Sequence, residues 1–120
     1  MGLAAEQLEQ TQEDVLDEVF FALSDPVRRA ILDRLNEGSF LVSEIAGPFD
    51  ISLQAVSRHI QVLVRAGLVT QARTGRISRC SLDAEPLSEA AAWINRYAKY
   101  WQGQFAALAQ HLERIEKEKP

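Results

Sequence analysis

"ISLQAVSRHIQVLVRAGLVTQARTGRISRCSL", Ile51 to Leu82, holds five arginines (Arg58, Arg65, Arg73, Arg76, Arg79) and no Asp or Glu. The flanking sequence is acidic. Residues 1–50 carry eleven acids against three bases, and residues 83–120 carry six against five, so a net charge of −4 conceals one segment at +5. A local positive field on an acidic body attracts polyanions, while the acidic remainder limits indiscriminate adhesion.

The first half of the stretch has the periodicity of a helix. Ser52 is a capping residue type, and Gly67 is placed to close the helix after about Arg65. Val56, Ile60 and Leu63 follow an i, i+4, i+7 pattern that belongs against a core, and Ala55 is small enough for close approach of the preceding helix. The opposite stripe is Gln54, Ser57, Arg58, Gln61 and Arg65. A solvated helix face ordinarily interleaves Glu with Lys; this one has only neutral or basic hydrogen-bonding groups. Gln and Arg make bidentate contacts to adenine and guanine in the major groove. Ser52 can offer its hydroxyl, or the helix-start amides, to a phosphate. His59 borders this face and leaves two roles open, a phosphate contact or packing at the helix edge.

The second half alternates as two strands, "LVTQA" and "ISRCSL", around "RTGR". The expected hairpin has Thr74-Gly75 at its tip between Arg73 and Arg76, with Arg79 on the outward face of the second strand. Arginine there suits a narrow minor groove or the flanking backbone. An ordinary solvated basic patch is the plainer alternative, but charge, helix position and hairpin position all point to a polyanion.

Working outward, "LSDPVRRAILDRLNEGS" is a punctuated helix: Ser24 or Asp25 as cap, Pro26 in the first turn, Gly38 at the end, and Val27, Ala30, Ile31 and Leu35 as the apolar stripe. Before it, Val15, Leu16, Val19, Phe20 and Leu23 recur at helical spacing from about Gln12. After it, "LVSEIAG" predicts a short helix stopped by Gly47-Pro48, and Asp50 sits in a turn where it would tolerate the left-handed conformation. Beyond Leu82, Asp83 can cap and Pro86 suits the first turn of one long helix to about Lys117. Its apolar stripe is Trp93, Tyr97, Tyr100, Trp101, Phe105, Leu108, Leu112 and Ile115.

The expected fold is mainly helical with a small hairpin, a winged helix-turn-helix of about five helices plus a two-stranded wing. It is one domain over residues 1–120, with a core at 12–83 and a long carboxy-terminal helix at 84–118. Too little chain remains to cover the aromatic stripe from within, so Val15, Val19, Trp93, Tyr97, Trp101, Phe105, Leu108 and Leu112 are expected at a two-fold interface. A ligand pocket among these aromatics is the alternative.

"LSDPVRRAILDRL", "VSEIAGPFDISLQAVSRHIQVLVRAGLV" and "RTGRISRCSL" resemble the ArsR/SmtB-type bacterial winged helix-turn-helix repressors, closely over residues 15–83. The resemblance implies a homodimer that binds an imperfect palindrome in operator DNA and represses transcription, with Ser52 to Arg65 as recognition helix. The family's metal-sensing Cys-Val-Cys would place its cysteines at Leu41 and Ser43, which supply no thiolate. His111, near Glu113 and Glu116, has no second His on the last helix, so no metal or other cofactor is expected.

Neither is catalysis. There is no Gly-rich phosphate loop, no Gly-x-Ser-x-Gly elbow, and nothing arranged as a triad. With 47% hydrophobic and 25% charged residues the chain is of ordinary globular composition. No apolar run approaches the roughly 18 residues needed to span a bilayer. "MGLAAEQLEQTQED" lacks a basic n-region, an apolar h-region and a myristoylation pattern, which makes cytoplasm the expected location. The single Cys80 shares a strand face with Ser78 and Leu82, as a small buried hydrophobe or, alternatively, a redox-sensitive thiol.

The functional expectation is a sequence-specific regulator binding double-stranded DNA. Two alternatives stand beside it: an interaction module on the same scaffold without base preference, and a repressor carrying a small-molecule site in its aromatic helix.

Overall fold

A computed structural model describes the backbone of residues 3–118 and the side chains of residues 12–118. The expectation for the extreme amino terminus, neither leader nor acylation site, falls outside the described side chains. The chain divides into two compact units, residues 1–90 and 91–120.

In the first unit, α1 (Leu3–Leu23) leads to α2 (Pro26–Leu35). Asp25 caps α2: its Oδ1 accepts from the amides of Val27 at 2.8 Å and Arg28 at 3.3 Å, and Pro26 follows where a missing N–H costs nothing. The short strand β1 (Phe40–Leu41) comes next, then α3 (Val42–Ala46), where Glu44 reaches back to accept from the Leu41 amide at 2.8 Å. Then come α4 (Leu53–Arg65), β2 (Val69–Thr74), β3 (Ile77–Leu82) and the start of α5 (Glu85–Asn95).

The sheet has three antiparallel strands in the order β1-β3-β2, one more than expected. Phe40 pairs with Cys80 and Leu41 with Arg79. Two residues are too few to show a period-2 pattern; β1 lies along the middle of β3, on the edge that β2 leaves free. In the hairpin, Thr74 pairs with Ile77, so the turn is Gly75-Arg76, one residue later than expected. Gly75 has φ +62° and Arg76 is not left-handed, the sign pattern of a type II′ turn.

Val19, Ala22, Ile31, Leu32, Leu35, Ile45, Val56, Ile60, Leu63, Leu68, Val69 and Cys80 form the centre of the core. The α4 stripe is as expected. On α1 the phase differs: Ala22 is fully buried and Phe20 is exposed. Val19, expected at an interface between subunits, is fully buried in its own chain, because α1 lays that edge against α2 and α4; Val15 is half-buried. Asp50 is not left-handed, since among the described residues only glycines take positive φ.

The expected long last helix is interrupted. α5 ends at Asn95, a 3-10 turn spans Ala98–Tyr100, and α6 runs Gln102–Lys117. The amides of Arg96, Tyr97, Tyr100 and Trp101 bond three residues back rather than four. Asn, Arg, Tyr, Tyr and Trp gather here with Gly103 just beyond. The aromatics lose χ1 freedom in a helix and Gly carries extra backbone entropy, which weakens the α-helix locally. The rings pack on one another instead: Trp93 and Tyr97 have centroids 5.3 Å apart, and Tyr97 and Tyr100 are stacked at 6.5 Å. Within α6, Phe105, Leu108, Leu112 and Ile115 keep a shared face.

Candidate nucleic-acid interface

The site is built on α4. Ser52 takes an extended conformation (φ −67°, ψ 155°), and its Oγ accepts from the Ala55 amide at 3.1 Å, which starts the helix. At the other end the Gly67 amide bonds the Val64 carbonyl and the Leu68 amide bonds the Leu63 carbonyl, each at 3.0 Å. With Gly67 at φ +78° this is a Schellman closure, and it turns the chain directly into β2. The helix is thus fixed at both ends and along Val56, Ile60 and Leu63. Its free face carries Gln54, Arg58, Gln61 and Arg65, all exposed, with Ser57 half-buried at the margin.

Polar contacts join this face to the wing. Gln61 Nε2 donates to Gln71 Oε1 at 3.0 Å, and Gln71 Nε2 donates to Ser78 Oγ. Gln71 was not singled out from sequence, and Ser78 only as a strand neighbour of Cys80, although Gln71 shares the inward parity of Val69 and faces Cys80 across the ladder. By the same parity Arg73, paired with Ser78, extends from the α4 side of the wing. Arg79, paired with Ala72, lies on the opposite face, where its Nη1 contacts the Ser39 carbonyl at 3.4 Å and Oγ at 3.3 Å. Arg76 occupies the tip.

His59 is half-buried, and it is tied to α2. Its Nδ1 lies 3.2 Å from Arg28 Nη1 and 4.0 Å from Asp25 Oδ1. Arg28 is only 7% exposed and donates from Nε to the Ala22 carbonyl at 2.8 Å and from Nη2 to the Phe21 carbonyl at 2.9 Å, with its guanidinium 5.0 Å from the centre of the Phe21 ring. Arg29 Nη1 bonds the Leu23 carbonyl at 2.7 Å. The α1 helix has no basic residue in its own last turn, so the paired arginines of α2 satisfy its terminal carbonyls.

A helix-turn-helix domain family profile matches residues 23–72, the segment from the end of α1 into β2. The transcriptional repressor SdpR of Bacillus subtilis (strain 168) is 35% identical over 79 residues, 66% of this chain and 88% of SdpR. A crystal structure of an ArsR-family transcriptional regulator is 37% identical with a TM-score of 0.70, covering 75% of this chain and 93% of that one. The chain belongs to the ArsR/SmtB family. It is a DNA-binding transcriptional regulator with a winged helix-turn-helix, and the family is not one of enzymes. Also similar is the solution structure of a homodimeric winged helix-turn-helix DNA-binding domain from Mycobacterium bovis, a possible ArsR-family regulator. That domain is 27% identical, with a TM-score of 0.61 over 76% of this chain and 84% of its own.

In this ArsR/SmtB chain Leu41, Val42, Ser43, Leu53, Arg76, Ile77 and Ser78 line a cleft of about 240 Å³ between the start of α4 and the wing. No group of three or more His, Cys, Asp or Glu able to hold a metal occurs among the described residues. Leu53 and Ile77 are 53% and 57% exposed. Neither was singled out from sequence, because an apolar residue at a strand or helix end looks like core. Cys80 is fully buried, and burial pushes its thiol above the ordinary range, away from the thiolate form that oxidants attack. No described helix is long and apolar enough to cross a membrane.

Proposed function

We propose that this regulator is a homodimeric, cytoplasmic repressor that sets the α4 helices of its two subunits into successive major-groove faces of a palindromic operator. The observation that carries this is the free face of α4: Gln54, Arg58, Gln61 and Arg65 stand exposed on a helix anchored at both ends, with no carboxylate on that face. Arg58 and Arg65 can meet guanine or phosphate, and Gln54 and Gln61 suit adenine. Leu53 beside them adds an apolar surface suited to a thymine methyl. Ser52 and Ser57 lie where phosphate is approached, and the wing brings Arg73 and Arg76 to the flanking backbone or minor groove. Arg79, on the other wing face, reaches the duplex only where the backbone wraps past β1.

Subunit pairing rests on the exposed apolar side chains of the last thirty residues. Trp93, Tyr97, Phe105, Leu108 and Leu112 are all exposed and Trp101 is half-buried. So much apolar surface is costly to leave in water, and a two-fold interface covers it with a second copy of itself. Val15, half-buried on α1, offers the partner subunit an apolar contact from the first unit.

Selection of bound duplexes from a randomised pool tests the proposal. The expected product is an inverted repeat with half-sites about 34–36 Å apart, or a multiple of that. A non-palindromic consensus, or no enrichment, would overturn it.

A further inference from the structure

We propose that Arg28 is a positioning residue for DNA recognition: it holds His59 in the tautomer that carries its proton on Nε2, presenting that N–H as a donor to a phosphate oxygen of the duplex. The proposal rests on α4 as the recognition helix. Its own observation is the contact between two side chains thirty-one residues apart.

A guanidinium has only donors and does not lose its proton. At 3.2 Å from Arg28 Nη1, the Nδ1 of His59 therefore has to be the acceptor, and it is unprotonated. A neutral imidazole carries one N–H, so that proton is on Nε2. Among the described residues Nε2 has no hydrogen-bond partner, and the His59 side chain is 23% exposed, which leaves the ring an accessible edge. The competing arrangement, Nδ1–H toward Asp25, fails on two counts. Asp25 Oδ1 is 4.0 Å away, too far for a hydrogen bond, and it already accepts from the Val27 and Arg28 amides.

Arg28 cannot drift from this position without cost. Moving it would strip the Ala22 carbonyl of its donor and the Phe21 carbonyl of one of three, the others being the Ser24 amide and hydroxyl, while the guanidinium stays largely enclosed. One buried cation thus joins the end of α1, the start of α2 and the recognition helix. A free imidazole would sample both tautomers and other ring orientations; this one is set before DNA arrives, which removes an ordering cost from binding.

The test uses the full chain and an operator duplex taken from selection. Nitrogen-15 shifts of the His59 ring near neutral pH should show an unprotonated Nδ1 and a protonated Nε2, and adding operator should slow exchange of the Nε2 proton. Arg28→Met should average the tautomers and weaken operator binding about tenfold, and His59→Gln, which keeps a donor near the Nε2 position, should bind better than His59→Ala. In a His59→Ala background the further change Arg28→Met should cost less than about twofold. A proton on Nδ1 in the unaltered protein would overturn the proposal, with no variant needed. Equal loss from Arg28→Met in both backgrounds would make the arginine merely structural. Failure of the α4 reading looks different: Gln54→Ala and Arg58→Ala would leave operator affinity unchanged, and the DNA half of the proposal would fall with it.

Discussion

At the scale of single residues, Asp25 links sequence, local structure and pH. Desolvation raises its carboxyl, but the Arg28 and Val27 amides, His59 once acid has protonated it, and the Arg28 charge outweigh that, so it titrates below its ordinary 3.8. A carboxyl with a lowered folded value stabilises fully above the ordinary aspartate range and loses that contribution as pH falls through the folded value. Thermal melting of the unaltered chain should therefore drop on acidification through that range more than that of Asp25→Asn, which keeps an acceptor without the titration. Parallel curves would refute the assignment. Arg58→Ala or Gln54→Ala should cost roughly 1–3 kcal/mol of discrimination at particular base pairs. Titrating operator variants against random duplex measures this, and equal losses on both would count against base readout. Residue types made these positions legible from sequence. Arg28 was not, because a charged residue near the start of a helix carries no mark of the carbonyls it will satisfy.

At the scale of elements, the α4-to-wing corner depends on Gly67. Its φ of +78° is costly for any residue with a Cβ, and a Cβ there would stand 3.3 Å from Pro86 Cγ. Gly67→Ala should destabilise the fold by about 1–2 kcal/mol, seen as a lower denaturation midpoint at unchanged slope. An unchanged midpoint would show that the corner relaxes without strain. The helix and hairpin were readable because periods of 3.6 and 2 are written locally. Three features were not: β1, whose two residues have no period; the tip at Gly75-Arg76, one residue along; and the break before α6. In the last case apolar spacing continues through Tyr97 and Trp101 while the backbone tightens, since periodicity reports which side is apolar and not whether the hydrogen bonds persist.

At the scale of the whole molecule, charge and apolar surface set the behaviour. Operator affinity should fall by about 0.9 log units per log unit of salt for each phosphate contact. A flat response would remove the electrostatic basis of binding. Leu108→Ser with Leu112→Ser, both exposed, should leave helicity intact, shift the protein to monomer in light scattering, and weaken operator binding more than tenfold through loss of bivalency. A dimer that survives these changes would place the interface elsewhere.

The sequence alone determined the order of helices and hairpin up to Leu82, which stripe of α4 is apolar, and that its other stripe holds no negative charge. These follow from spacing and residue type, which act over a few residues. Only the tertiary structure decided that Val19 belongs to its own core, that Gln61 is tied through Gln71 to the wing, and that Arg28 reaches His59. Such contacts join positions far apart in the chain, where distance and competing partners choose the outcome and local pattern has no influence.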